Sequence, residues 1–329
     1  MKISHVPSSA LTRRGFLRNT ALGLAAASTL PQARLHAAPS ENLVESLYKS
    51  LNEEQRGLIL KPFADPLRSE VKANWSITDA RVGRDFSEDQ QEMIREIFLG
   101  LHSEDYAKAV LGQVAHDTGG KGLEQCSVAL FGEPGAGKFE FVITSRHMTR
   151  RCDGNSVAGS AFGGPLFYGH QAGPNDEEAP DHPGNIYWYQ AQRANQVFAM
   201  LDGKQRELAL RPQGRRERNA QTVALKGAVD GIEGLPVSEL TADQKGEFRK
   251  VVADILAPFR ETDRRESWEL VEKGGIDNLR LAFFQRGDLG NDGIWDVWHI
   301  EGPSMVCYFR GEPHVHAYIH IKDPDHVQA

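Results

Sequence analysis

The segment Met305-Val306-Cys307-Tyr308-Phe309-Arg310-Gly311-Glu312-Pro313-His314-Val315-His316-Ala317-Tyr318-Ile319-His320-Ile321 holds two short apolar runs separated by turn residues. In the second run Val315, Ala317, Ile319 and Ile321 alternate with His314, His316, Tyr318 and His320. A period of two puts the aliphatic set on one face of a β-strand and the histidines and tyrosine on the other. Two more short runs, residues 279–284 and 294–300, lie just upstream, punctuated by Gly290-Asn291-Asp292-Gly293 and Gly302-Pro303. Strands that follow one another without intervening helices pair antiparallel, because only antiparallel neighbours can be joined by tight turns.

A second strand block spans residues 127–168, where Phe139, Phe141 and Ile143 alternate with Glu140 and Thr144. Between and before the two blocks, four segments share one helix-start signal: Asn52-Glu53-Glu54-Gln55, Ser87-Glu88-Asp89-Gln90, Asp202-Gly203-Lys204-Gln205 and Thr241-Ala242-Asp243-Gln244. In each, the first side chain can accept from the third helical amide while the Gln reaches back to the cap amide. Apolar residues then recur at helical spacing, as in Met93, Ile94, Ile97, Phe98 and Leu101, or Phe248, Val251, Val252, Ile255 and Leu256. The expectation is an α+β fold: an antiparallel-rich sheet from the middle and C-terminal segments, packed with several capped amphipathic helices. A loop rich in Pro, Gly and acid interrupts it at about residues 172–185.

The N-terminus carries a different kind of information. Thr12-Arg13-Arg14-Gly15-Phe16-Leu17-Arg18 has the paired arginines followed by Phe-Leu that the twin-arginine receptor reads. The mildly apolar Ala21-Leu22-Gly23-Leu24-Ala25-Ala26-Ala27 and the small pair Ala37-Ala38 follow it. That stretch is far short of the ~20 apolar residues of a membrane span. Residues 1–38 are therefore expected to be a twin-arginine signal peptide, with residues 39–329 a single α+β domain in the periplasm or outside the cell. The twin-arginine export machinery is then a partner, and the mature form has no membrane span. A formal charge of −7, which already includes the basic leader, argues against a nucleic-acid surface. The basic run at residues 211–218 sits beside Pro212 and Gly214 and reads as a solvated loop. Cys126, Cys152 and Cys307 allow one disulfide or none.

Gly132-Glu133-Pro134-Gly135-Ala136-Gly137-Lys138 has the spacing of a phosphate-binding loop, but Phe139 replaces the Ser or Thr that would hold magnesium. A strand rather than a helix follows, so the segment reads as a hairpin turn.

The histidines point to a metal. Imidazoles at positions i and i+2 of a strand, His314 and His316, can converge on one ion at ~2.0–2.1 Å. His147 continues the face of Phe139, Phe141, Ile143 and Ser145 and is the expected third ligand; His320 could close the site as a fourth. An all-imidazole set suits a transition metal ion, copper, zinc or iron, better than magnesium or calcium. His116, His170, His182 and His299 rank lower. The competing reading is a set of core histidines bonded to carbonyl groups.

An ordered series of segments resembles a bacterial family described as domain of unknown function 3500. It includes Asn52-Glu53-Glu54-Gln55-Arg56, Ser103-Glu104-Asp105-Tyr106-Ala107-Lys108, Leu130-Phe131-Gly132-Glu133-Pro134 and the strand ending at His147. Pro165-Leu166-Phe167-Tyr168-Gly169, Leu240-Thr241-Ala242-Asp243-Gln244, Ile300-Glu301-Gly302-Pro303 and His314-Val315-His316 complete it. The resemblance implies that a histidine at His147 and the pair at His314 and His316 recur in the family; it implies no activity. It also implies that a family glutamate is replaced here by Tyr308 and an arginine by His320, which leaves the glutamate's role open. The functional expectation is an exported metalloprotein, a metal-dependent enzyme with oxidoreductase chemistry favoured over hydrolysis and a small molecule as substrate. The alternatives are a non-catalytic exported metal- or small-ligand-binding protein, and a metal-free enzyme using His147 or His316 as general base.

Overall fold

The computed structural model describes residues 40–327; the segment expected to be a signal peptide, with its expected cleavage site, lies outside them. Helices α1 (Ser40–Ser50), α2 (Glu53–Ile59), α3 (Val82–Asp85), α4 (Glu88–Gly100) and α5 (Glu104–Asp117) come first, with the short strand β1 (Leu60–Lys61) among them. The meander β2 (Ser127–Gly132), β3 (Phe139–Ser145), β4 (Met148–Cys152) and β5 (Leu166–Gly169) follows. The chain then repeats the plan with α6 (Trp188–Met200), α7 (Gly203–Ala209), β6 (Leu210–Arg211), β7 (Leu235–Pro236), α8 (Ala242–Leu256) and α9 (Glu261–Gly274). The meander β8 (Arg280–Phe284), β9 (Val297–Glu301), β10 (Met305–Arg310) and β11 (His316–Ile321) ends it.

All the strands join one sheet in the order β1-β2-β3-β4-β5-β11-β10-β9-β8-β6, with β7 added on β8. The two halves meet where β5 and β11 pair antiparallel. Antiparallel pairing dominates, and the two-residue strands β1 and β6 pair parallel with β2 and β8. The α+β expectation holds, and the repeated plan explains why the capping signal recurs four times.

Each of those four signals forms a complete capping box, headed by Asn52, Ser87, Asp202 and Thr241. Such a cap stabilises a helix by about 1 kcal/mol. The capping glutamines do a second job. Gln55 Nε2 donates to Gln90 Oε1 at 2.7 Å and Gln90 Nε2 returns a bond at 3.1 Å. Gln205 and Gln244 exchange the same pair at 3.0 and 2.8 Å. Buried carboxamides thereby satisfy each other and tie helix starts together in both halves.

Helices cover one face of the sheet. Val315, Ala317, Ile319 and Ile321 pack there with Trp298, Phe309, Phe248 and Val251, so the aliphatic face of β11 is the core face. Phe141, Ile143 and Cys152 pack with Val44, Ile94, Phe98 and Val114 in the first half. The histidine-bearing face of β11 looks the other way, where Phe167, Val306, Tyr308, Tyr318 and Val223 form a smaller cluster.

The Gly-rich segment is a hairpin turn between β2 and β3: Glu133 N donates to Lys138 O at 3.3 Å. Gly132 is required there, since at φ +75° a Cβ would stand 2.1 Å from the Lys138 carbonyl oxygen. Two expectations need correction. The strand expected over residues 294–300 starts only at Val297, because Asp288 and Asn195 take the amides of Asp296 and Trp295. The basic run is a solvated loop only in part: Leu210–Arg211 pairs with β8 and Arg215 bonds half-buried to Glu301, while Arg216 and Arg218 are exposed. The three cysteines are buried and free. Among the described residues no helix is long and apolar enough to cross a membrane.

Candidate metal centre

The centre lies at one end of the β4-β5-β11 seam. His316 stands opposite Gly169, and Met148 stands opposite Tyr168 on the other side of β5. His147, one residue before Met148, therefore faces His316 across Gly169. Strands two apart are separated by ~9.6 Å, so two imidazoles meet only by reaching over the strand between them. Gly169 leaves that path clear: a Cβ there would lie 2.1 Å from Val315 O and 3.3 Å from His147 Cδ2.

His147 is not a strand residue, contrary to the alternation argument. β3 ends at Ser145, and His147 sits in the β3–β4 turn with φ +53°. Its N–H donates to Ala73 O at 2.7 Å, which fixes a left-handed conformation that a non-glycine residue adopts only at a cost of about 1–3 kcal/mol. The turn, not the strand face, aims the ring at the seam.

The structure brings His147, His314 and His316 together, with one ligand nitrogen from each lying within 4.8 Å of the others. His147 Nε2 is 3.1 Å from His316 Nε2, and His314 Nε2 is 3.0 Å from the same atom. Each ring has a carboxylate behind it: Asp117 Oδ2 at 2.9 Å from His147 Nδ1, Asp176 Oδ1 at 2.8 Å from His314 Nδ1, and Glu217 Oε2 at 2.6 Å from His316 Nδ1. A carboxylate only accepts, so every Nδ1 carries a proton, and in the neutral rings Nε2 presents a lone pair. Arg310 Nη2 donates to the lone pair of His314, while the Nε2 atoms of His147 and His316 meet at 3.1 Å and need a proton or a metal cation between them. Nitrogens bound at ~2.0–2.1 Å in a tetrahedral arrangement stand ~3.3 Å apart, close to the separations found.

Burial, with smaller contributions from Arg310 and His147, drives the His316 imidazole down to about 3 despite its bond to Glu217. His314 is lowered as well, first by burial and then by the charges of His147 and Arg310. Neutral imidazole is the metal-binding form. Burial alone would raise Glu217, but bonds from His316 and Tyr308 and the charge of Arg310 outweigh it and keep the carboxylate ionised. Arg310 Nη1 lies 2.9 Å from Glu217 Oε1, and its Nη2 lies 3.1 Å from His314 Nε2. The guanidinium thus stands at the rim of the centre.

His320 does not join the group. It follows His316 by four residues, a rise of ~13 Å along the strand, and its Nδ1 donates to Val223 O at 3.1 Å. Tyr308 does not act as a ligand either; its hydroxyl donates to Glu217 Oε1 at 3.1 Å. His299 is buried elsewhere beside Phe284 and Tyr308, while His116, His170 and His182 gather around Glu178. Asp117, Asp176, Glu217 and Arg310 were not legible as site residues. The one signal for Glu217 was an acid inside a basic run, and Asp117 shows only as the last residue of an amphipathic helix.

A family model described as "Protein of unknown function (DUF3500)" matches residues 35–326. No curated protein and no solved structure matches the chain.

Proposed function

The chain belongs to the DUF3500 family, whose description assigns no activity, and we propose from its own residues that it is an exported metalloprotein with a three-histidine centre. One observation carries this reading: the Nε2 atoms of His147, His314 and His316 converge while each Nδ1 is held by a separate carboxylate. Carboxylates behind metal-bound imidazoles fix the tautomer and ring orientation and raise ligand basicity. An imidazole set suits copper, zinc or iron. When bound, such an ion supplies Lewis acidity, or with copper or iron electron transfer, at a position that three ligands leave open.

The chain's own part is to hold and orient. Asp117, Asp176 and Glu217 lock the rings, and Gly169 keeps the path between His147 and His316 clear. Arg310, anchored by Glu217, offers a guanidinium to an anionic group of a small substrate. We favour oxidoreductase over hydrolytic chemistry, with sequestration or delivery of the metal as the non-catalytic alternative. Export through the twin-arginine machinery to the periplasm rests on Arg13-Arg14 and the leader that follows. A folded-protein route suits a site loaded before transport.

Purified protein should carry a stoichiometric transition metal by mass spectrometry, and His314→Ala should lose it. A wild-type protein that takes up no added copper, zinc or iron at that centre contradicts the proposal. Turnover assays with dioxygen, peroxide or esters then separate catalysis from storage. Replacing Arg13-Arg14 by a lysine pair should retain a reporter fusion in the cytoplasm.

A further inference from the structure

A second group of metal-binding side chains lies outside this centre. β5 runs on into His170, and the loop at residues 172–185 returns to place Glu178 and His182 beside it; one ligand atom from each of the three lies within 4.8 Å of the others. His170 is buried, 1% exposed. Its orientation is fixed by a chain of bonds: Gln113 Nε2 donates to Asp117 Oδ1 at 2.8 Å, which turns Gln113 Oε1 toward His170 Nδ1 at 3.0 Å. Nδ1 must therefore donate, and neutral His170 presents a bare Nε2 to Glu178 Oε2 at 3.2 Å.

Two acceptors do not sit face to face without a cation between them. The same carboxylate oxygen is 3.5 Å from His182 Nδ1 and 3.3 Å from His116 Nε2. An imidazolium paired with a carboxylate closes to ~2.7–2.9 Å. The 3.2 Å between His170 Nε2 and Glu178 Oε2, the one pair already posed as ligands, instead matches the ~3.3 Å between neighbouring ligands of one tetrahedral ion. His116 already donates Nε2–H to Gln171 O at 2.9 Å and stacks on His170 with ring centres 4.9 Å apart, so it orients the group rather than completing it. His182 is held on Nδ1 only by the Gly184 N–H at 3.0 Å, and its ring is 41% exposed, free to turn a nitrogen inward.

We propose that His170, Glu178 and His182 form a second metal site, separate from the three-histidine centre, for a divalent first-row ion such as zinc or iron. Two imidazoles and one carboxylate leave open positions on the ion. The group borders a cavity of about 570 Å³ lined by His116, Asp117, Glu178, Trp75, Lys121 and Arg146, room for a small molecule. The two sites are linked: Asp117 bonds His147 with one oxygen and Gln113 with the other, and Asp176 precedes Glu178 on the same loop.

The test strips the protein with a chelator, titrates it with Zn(II), and counts ions per chain by mass spectrometry after dialysis. Wild type should hold two, His182→Ala one, Glu178→Gln one, His316→Ala one, and the His182→Ala/His316→Ala pair none. Circular dichroism and the melting temperature of the chelator-stripped protein, which replacing the exposed His182 should leave unchanged, check folding. One ion in wild type that survives His182→Ala and Glu178→Gln but is lost in His316→Ala overturns the second site and leaves the first. Full loss in His182→Ala with no loss in His316→Ala keeps the second site and removes the three-histidine centre.

Discussion

The two histidine clusters are built on opposite principles. In the first, each imidazole has its own carboxylate, and the rings of His147 and His316 are nearly sealed, with side chains 6% and 9% exposed. They are held by a turn and a strand of the sheet. In the second, three rings share the one acid Glu178, and two of the side chains involved belong to a loop. Preorganisation differs accordingly: ligands fixed by packing and by their own partners bind without paying ordering entropy, and loop ligands do not. The first cluster should bind tightly and exchange slowly; the second should bind more weakly and answer to what enters the adjoining cavity.

The largest effect expected from breaking this contrast is His316→Ala, which removes the imidazole that both other rings approach. Affinity at the first centre, read by competition with a chromophoric chelator, should fall by more than the ~100-fold typical of losing a supporting carboxylate. Glu217→Gln leaves all three ligands but weakens the hold on His316, and should cost ~10–100-fold at the same centre. Glu178→Gln should leave that affinity within a few fold.

Gly169→Ala tests the seam itself. Its Cβ would meet Val315 O at 2.1 Å, so β5 and β11 must part. A loss of about 1–3 kcal/mol in urea denaturation is expected, along with weaker binding at the first centre.

Acid stability sharpens the contrast between site and scaffold histidines. Burial holds His102 and His299 near 3 and His320 near 4, from an ordinary 6.5. The unfolded chain binds the proton first, so their contribution is complete above pH 6.5 and is lost as pH falls from 6.5 toward 3. Because all three lie outside the centre, the same loss should persist in His314→Ala, which lacks the ion of that centre, measured as melting temperature against pH.

What the sequence disclosed follows the range of the forces involved. Capping boxes, the β2–β3 hairpin and the alternation in β11 are decided within a few residues, and each formed as expected. His147 reaches His314 and His316 by a different route from the one alternation predicts: alternation carries a side chain only as far as the strand runs, and a left-handed turn residue then resets its direction. Asp117, Asp176 and Glu217 stand 30, 138 and 99 positions from the histidines they orient, so no local pattern marks them. The meeting of the two meanders at β5 and β11 is likewise a long-range pairing; no motif states it, although the recurring caps hint at a repeated plan. His320 failed as a ligand because sharing a face says nothing about distance along the strand.

Three imidazoles, from the β3–β4 turn, the turn before β11 and the first residue of β11, are proposed to hold one ion. Crystals grown from metal-loaded protein, with data collected on either side of the metal's absorption edge, test it directly. The expected result is a single anomalous peak within ~2.0–2.2 Å of the Nε2 atoms of His147, His314 and His316. No peak between those rings, in crystals whose mother liquor contains the metal, would contradict the account.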